Sequence, residues 1–163
     1  MSAYRLAITV PALEVARAFF EDRGSHGCEG TGMFACRQTR DSWWTTDRFV
    51  APHQQAHRAV TGCWVEVTDK GKRQLAVGLQ PGELYVARIH SHPGPAFHSE
   101  TDDRNPALTF DGALSIVAPY FGLGLRLGLD SCAVYQLRDG RWCQLEHDRE
   151  LWINAPPVLD TGR

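Results

Sequence analysis

Leu84-Tyr85-Val86-Ala87-Arg88-Ile89-His90-Ser91-His92-Pro93 is the stretch on which the reading of this chain turns. Residues 84–89 are aliphatic, aromatic and β-branched, the composition of a strand. Side chains two apart on a strand point to one face, so His90 and His92 project together while Ser91 turns away. Two imidazoles on one face at a strand end form a chelate suited to zinc. A third ligand is needed, and Asp102 or Asp103 is near enough in sequence to supply it. Two His and one carboxylate leave the fourth zinc position open, as in catalytic rather than structural sites.

Working outward, Pro93-Gly94-Pro95 forces the chain to turn directly after the histidines. Ser99-Glu100-Thr101-Asp102 has the Ser-x-x-acid form of a helix start, and Asn105-Pro106 would end that helix almost at once. A capping box alone explains Ser99 and Asp102 but leaves His-x-His-Pro without a reason. For any single His the bland reading, a satisfied core or rim histidine, wins. A cap also fixes the side chains that a metal site needs fixed, so the two readings are compatible.

These residues resemble the JAMM (MPN-plus) metalloprotease motif, His-x-His-Pro followed by Ser-x-x-Asp, with an upstream Glu. Cys28-Glu29-Gly30-Thr31-Gly32 is similar to the family's Glu-x-x-Gly at the opening of a strand. The likeness covers roughly residues 4 to 120 in order of elements. It implies an α/β fold, a mixed sheet flanked by helices of the cytidine-deaminase-like MPN kind. It also implies one zinc ion per chain, held by His90, His92 and Asp102, with Glu29 as general base and Ser99 as donor to the developing oxyanion. Six residues separate His92 from Ser99 where the family pattern has seven, so Asp103 competes with Asp102 for the third place. The intact Ser-x-x-Asp spacing, Ser99 to Asp102, favours Asp102.

The shortened loop looks like the prokaryotic JAB-type, deubiquitinase-like subgroup that accompanies bacterial ubiquitin-like conjugation systems, antiphage ones included. The resemblance implies hydrolysis after the C-terminal Gly of a ubiquitin-like protein, in precursor processing or deconjugation, with E1-like and E2-like enzymes as further partners. Two alternatives stand beside it: a peptidase for a sulfur-carrier protein or small amino-acid conjugate, and a non-catalytic MPN-like scaffold. Scaffold forms generally lack the metal-site residues that this chain carries at Glu29, His90, His92, Ser99 and Asp102.

With 163 residues the chain is long enough for a hydrophobic core. Hydrophobic residues make up 43% and charged ones 22%, ordinary for a globular protein. Net charge is −2 and the one basic cluster, Lys70-Gly71-Lys72-Arg73, reads as a solvated turn, which argues against nucleic-acid binding. Five cysteines form no Cys-x-x-Cys pair, and no signal peptide opens the sequence, so reduced thiols in a cytoplasm are expected. No apolar run reaches the ~20 residues that span a bilayer.

The expected order of elements is a strand over 4–10, a helix from Pro11 that Gly24 stops, and a strand over 31–37 entered at Glu29. Residues 41–59 read as a short strand, Arg48-Phe49-Val50, plus an irregular connection. Trp43 and Trp44 there are core or loop anchors, and otherwise the best candidates for a partner surface. His53 and His57 read as surface residues. A strand follows over 63–67, then a charged turn and a short helix or loop over 70–82. Residues 113–117 read as a buried strand, 122–128 as a flexible glycine loop, and 132–137 with 141–145 as a hairpin turning at Asp139-Gly140. One domain is expected over 1–154, with a loose tail over 155–163.

Overall fold

The computed structural model describes residues 5–40, 43–60, 62–99 and 107–145. Chain order is β1 (Arg5–Ile8), α1 (Val10–Ser25), β2 (Thr31–Arg40), β3 (Trp43–Val50), β4 (Gln54–Ala59), β5 (Gly62–Val67), α2 (Asp69–Val77), β6 (Glu83–Ser91) and β7 (Leu114–Ala118). A kinked 3-10 segment, Tyr120–Ser131, then leads to β8 (Ala133–Arg138) and β9 (Arg141–Gln144). Seven strands form one mixed sheet in the order β1-β3-β2-β6-β7-β8-β9, and β4 with β5 makes a separate ribbon. The fold is α/β, as expected.

Helix α1 starts where Thr9 Oγ1 accepts from the Ala12 N–H and Pro11 occupies the first turn. Its buried stripe of Ala12, Ala16 and Phe20 packs on Leu6, Ile8, Phe34, Ala87 and Ile89 of the sheet. Phe19, Phe20, Phe34 and Phe49 meet at ring separations of 5.3–5.8 Å, tilted or edge-on.

Strand β6 lies inside the sheet, antiparallel to β2 and parallel to β7. Alternation sends Ala87, Ile89 and Ser91 to the α1 face and Arg88 and His90 to the other. That central placement is why residues 84–91 read so plainly as a strand: Val86, Ala87, Ile89, His90 and Ser91 are all buried.

Four expectations are corrected, one of them the turn read at Lys70-Gly71-Lys72-Arg73, which lies within helix α2. Residues 41–59 hold two strands, Trp43–Val50 and Gln54–Ala59, rather than one and an irregular connection. The second was hidden because β4 belongs to a solvent-facing ribbon, paired as Gln55↔Glu66 and His57↔Trp64, with no apolar alternation to read. Trp44 packs against the core, which fits the anchor reading better than a partner surface. His53 and His57 do lie at the surface, His57 half-exposed and stacked on Trp64 at 5.5 Å.

The helix also runs through Gly24 to Ser25 instead of stopping there. A Cβ at Gly24 would come within 2.4 Å of Phe121 Cβ, and one at Gly122 within 2.5 Å of Phe20 Cβ. These glycines serve close approach between α1 and the 3-10 segment. Residues 122–128 are accordingly no flexible loop, since Leu125 and Leu129 bury themselves in the core. The hairpin does turn at Asp139-Gly140, both with left-handed φ (48° and 73°). The short helix expected from Ser99, and the tail over 155–163, lie outside the described residues.

At the far end of β6, Glu83 is 6% exposed and its carboxylate accepts from Arg48 Nη1 (2.8 Å), Arg37 Nη2 (3.4 Å) and the Gln80 N–H (2.7 Å). Arg48 also donates to the Gly78 carbonyl, so this cluster ties α2 to the sheet. Glu83→Ala should lower stability by ~2–3 kcal/mol in urea unfolding, the lower part of the range for a broken buried pair because both guanidiniums stay partly wet. A change below ~0.5 kcal/mol would show that the cluster contributes nothing.

Candidate metal centre

His90 is the last residue but one of β6 and His92 follows directly after the strand, whose parallel pairing with β7 runs to Ser91↔Ala118. His92 N–H donates to the Ala118 carbonyl (2.9 Å), and its own carbonyl accepts from the Phe121 N–H (2.7 Å). Gly94, in the turn expected at Pro93-Gly94-Pro95, accepts from the Tyr120 N–H (3.0 Å). Tyr120 and Phe121 both adopt φ of 53°, a left-handed conformation costly for aromatic residues. That geometry aims their N–H groups at the His92 turn.

The two imidazoles are 4% and 6% exposed, with ring centroids 5.1 Å apart and planes tilted by 59°. Ser91 turns away as expected: its hydroxyl accepts from the Gly30 N–H (3.0 Å), and its own N–H donates to the Gly30 carbonyl (2.9 Å). Thr31 is paired with His90, and these bonds join Gly30 to Ser91. Glu29 precedes Gly30, just outside β2, so the Gly30–Ser91 bonds hold its backbone near the end of β6. The Glu29 carbonyl is held from α1 by Arg23 Nε (2.6 Å). Glu29 itself is half-buried.

Ser99 is half-buried at the end of the loop that leaves His92. Asp102, and its competitor Asp103, lie outside the described residues. Among the described residues no three His, Cys, Asp or Glu side chains form a group that could hold a metal. Two buried imidazoles on one face are a donor pair suited to zinc, and a carboxylate is the ligand type they would need beside them. Glu21, the nearest other glutamate in sequence, is taken up in ion pairs with Arg17 and Arg126 on α1 and the 3-10 segment. All five cysteines are free thiols, and burial pushes Cys36 up to about 12, so that thiol stays protonated.

Residues 14–121 match the model of prokaryotic homologs of the JAB domain. The chain belongs to the prokaryotic JAB family. This span includes Glu29, His90, His92 and Ser99. Another similar protein, the probable metalloprotease y4jG of Sinorhizobium fredii, is 33% identical over 117 residues, 71% of this chain and 72% of that one. Among solved structures, protein DSY2949 of Desulfitobacterium hafniense has the same fold, with a TM-score of 0.62 at 16% identity over 95% of both chains. A JAB1/MPN domain protein of Archaeoglobus fulgidus, AF2198, aligns over 87% of this chain and 96% of that one at 17% identity and a TM-score of 0.46. Family and relative together support a peptidase-like hydrolase function for this JAB chain. No helix among the described residues is long and apolar enough to cross a membrane.

Several residues around the centre were not legible in the sequence. Gln54, the first residue of β4, acts as a strand mimic: its side-chain oxygen accepts from the Thr31 N–H (2.8 Å) and its amide donates to the Thr31 carbonyl (2.8 Å). Arg88 Nε donates to Thr31 Oγ1 (3.1 Å). Phe97, 53% exposed, meets His92 edge-on at 4.7 Å. The Gln54 and Arg88 contacts join segments 23 and 57 residues apart, so no local spacing reports them.

Proposed function

We propose that this chain is a zinc-dependent peptidase of the JAMM type, cleaving after the C-terminal Gly of a ubiquitin-like protein, in precursor processing or deconjugation. The observation that carries the reading is the pair of buried imidazoles that share one face 5.1 Å apart, with Ser91 between them bonded to the Gly30 that follows Glu29. His90 and His92, with Asp102, would hold the ion. Zinc, when bound, supplies Lewis-acid polarisation of the scissile carbonyl and acidifies water at neutral pH.

The chain's own groups do the rest. Glu29 takes a proton from the attacking water and returns it to the leaving amine. Ser99 donates its hydroxyl hydrogen to the carbonyl oxygen as negative charge develops there. Gly30 and Ser91, locked together through both backbone and hydroxyl, keep Glu29 from drifting away from His92. An extended tail laid beside the β4–β5 ribbon would lie close to the centre, because Gln54 is bonded to Thr31 and Thr31 is paired with His90. E1-like and E2-like enzymes of the same conjugation system, antiphage in role, are the partners that go with this substrate.

The test is a ubiquitin-like protein from the same genome, fused to a C-terminal extension and incubated with the purified chain. Cleavage at the Gly junction is expected, lost on adding a zinc chelator and recovered with added Zn2+. Cleavage that survives chelation would overturn the metal mechanism. Release only of a single amino acid or of a sulfur-carrier tail would move the substrate to that alternative class.

A further inference from the structure

The loop from His92 to Ser99 has no regular structure, yet it ends in a firmly held side chain. His98 lays its imidazole against Tyr135 of β8 (ring centroids 4.8 Å apart) and Trp142 of β9 (5.2 Å). Its Nε2 shares a hydrogen bond with Ser115 Oγ of β7 (3.2 Å), and its backbone N–H donates to the Tyr135 hydroxyl (3.0 Å). Three neighbouring strands thus grip one residue. Ser115 is 1% exposed, and a hydroxyl buried that deeply in a sheet requires a partner. The His98 ring also stands 6.2 Å from His90, edge to face, so the grip is applied beside the metal-site histidines.

We propose that His98 is a positioning residue: its clamp on Ser115, Tyr135 and Trp142 fixes the loop end, and with it the Ser99 hydroxyl, relative to His90 and His92. The inference rests on the reading of this site as a metal centre with Ser99 as oxyanion donor. Surface loops are mobile unless tied down, and the Gly94–Tyr120 bond ties this loop at its opposite end. Without His98 the Ser99 end would sample positions an ångström or more from the working one, a displacement that costs a reaction heavily. His98 acts through Ser99 and takes no part in the bond changes.

The experiment compares wild type, His98→Ala, His98→Phe, Ser115→Ala and the His98→Ala/Ser115→Ala double variant. Zinc affinity is read by competition with a chromophoric chelator, kcat and KM on the fused ubiquitin-like substrate, and loop order by amide exchange of residues 93–99. His98→Ala should lower kcat ~10–100-fold, the usual effect of removing an outer-shell support, with KM within about twofold and faster exchange across the loop. His98→Phe keeps the aromatic contacts and should recover part of the loss. The two single effects should not add in the double variant, because they remove one hydrogen bond. Unchanged kcat per folded molecule, or additive losses, would overturn the clamp. Failure of the wild-type chain to bind zinc would instead remove the metal-centre reading, and this proposal with it.

Discussion

Glu29→Gln is expected to abolish turnover while zinc stays bound. The amide has nearly the shape of the carboxylate but cannot accept a proton near neutral pH, so only the acid–base step is removed. Such a step is worth ~10²–10⁴-fold in rate. Position makes Glu29 the residue for it: Gly30, next to it, exchanges two hydrogen bonds with Ser91 between the two histidines, and Arg23 holds the Glu29 carbonyl from α1. None of those bonds uses the Glu29 side chain, so the substitution leaves the backbone that places it intact. Metal content by elemental analysis should match wild type, and thermal unfolding should shift little. Near-wild-type kcat in Glu29→Gln would remove this assignment outright.

What the sequence disclosed and what it hid divide along the range of the interactions. His90 and His92 were legible because a strand's two-residue period is a local fact, and β6 is central enough to look like a strand. Glu29 was legible only through the family likeness. Between glycines it would pass for a turn residue, and the Gly30–Ser91 bond beside it joins positions 61 residues apart. His98 carried no signal at all, since its N–H partner Tyr135 lies 37 residues on. The glycines at 122, 124 and 128 misled for a related reason. Gly122 looks like flexibility in sequence, but it is there to let Phe20 come close. Strand β4 was missed because a ribbon wet on both faces has no hydrophobic pattern to show. The expected class and the order of most elements survive these corrections, because both rest on the buried strands and on the α1 stripe.

His90→Ala should lose zinc and activity together, in contrast to Glu29→Gln, which separates them. Removing one of two imidazoles from a three-ligand set leaves a chelate too small to hold the ion, so zinc affinity should fall by at least ~10³-fold and cleavage should drop to background. The loss must be separated from unfolding, because His90 is 4% exposed and an Ala there vacates buried space. His90→Gln is the control: it fills most of the volume, and its amide is a poor zinc ligand. Both variants should give the wild-type far-ultraviolet circular dichroism spectrum, and neither should be stabilised by added Zn2+, whereas wild type should gain thermal stability with zinc in proportion to ln(1 + [Zn2+]/Kd). That gain is read without any substrate, so it tests the site independently of what the enzyme cleaves. A zinc-dependent rise in His90→Gln equal to that of wild type would mean that the ion binds elsewhere. The shared face of β6 would then have to be explained as packing, with His90 buried beside Val117 and His92 covered by Phe97.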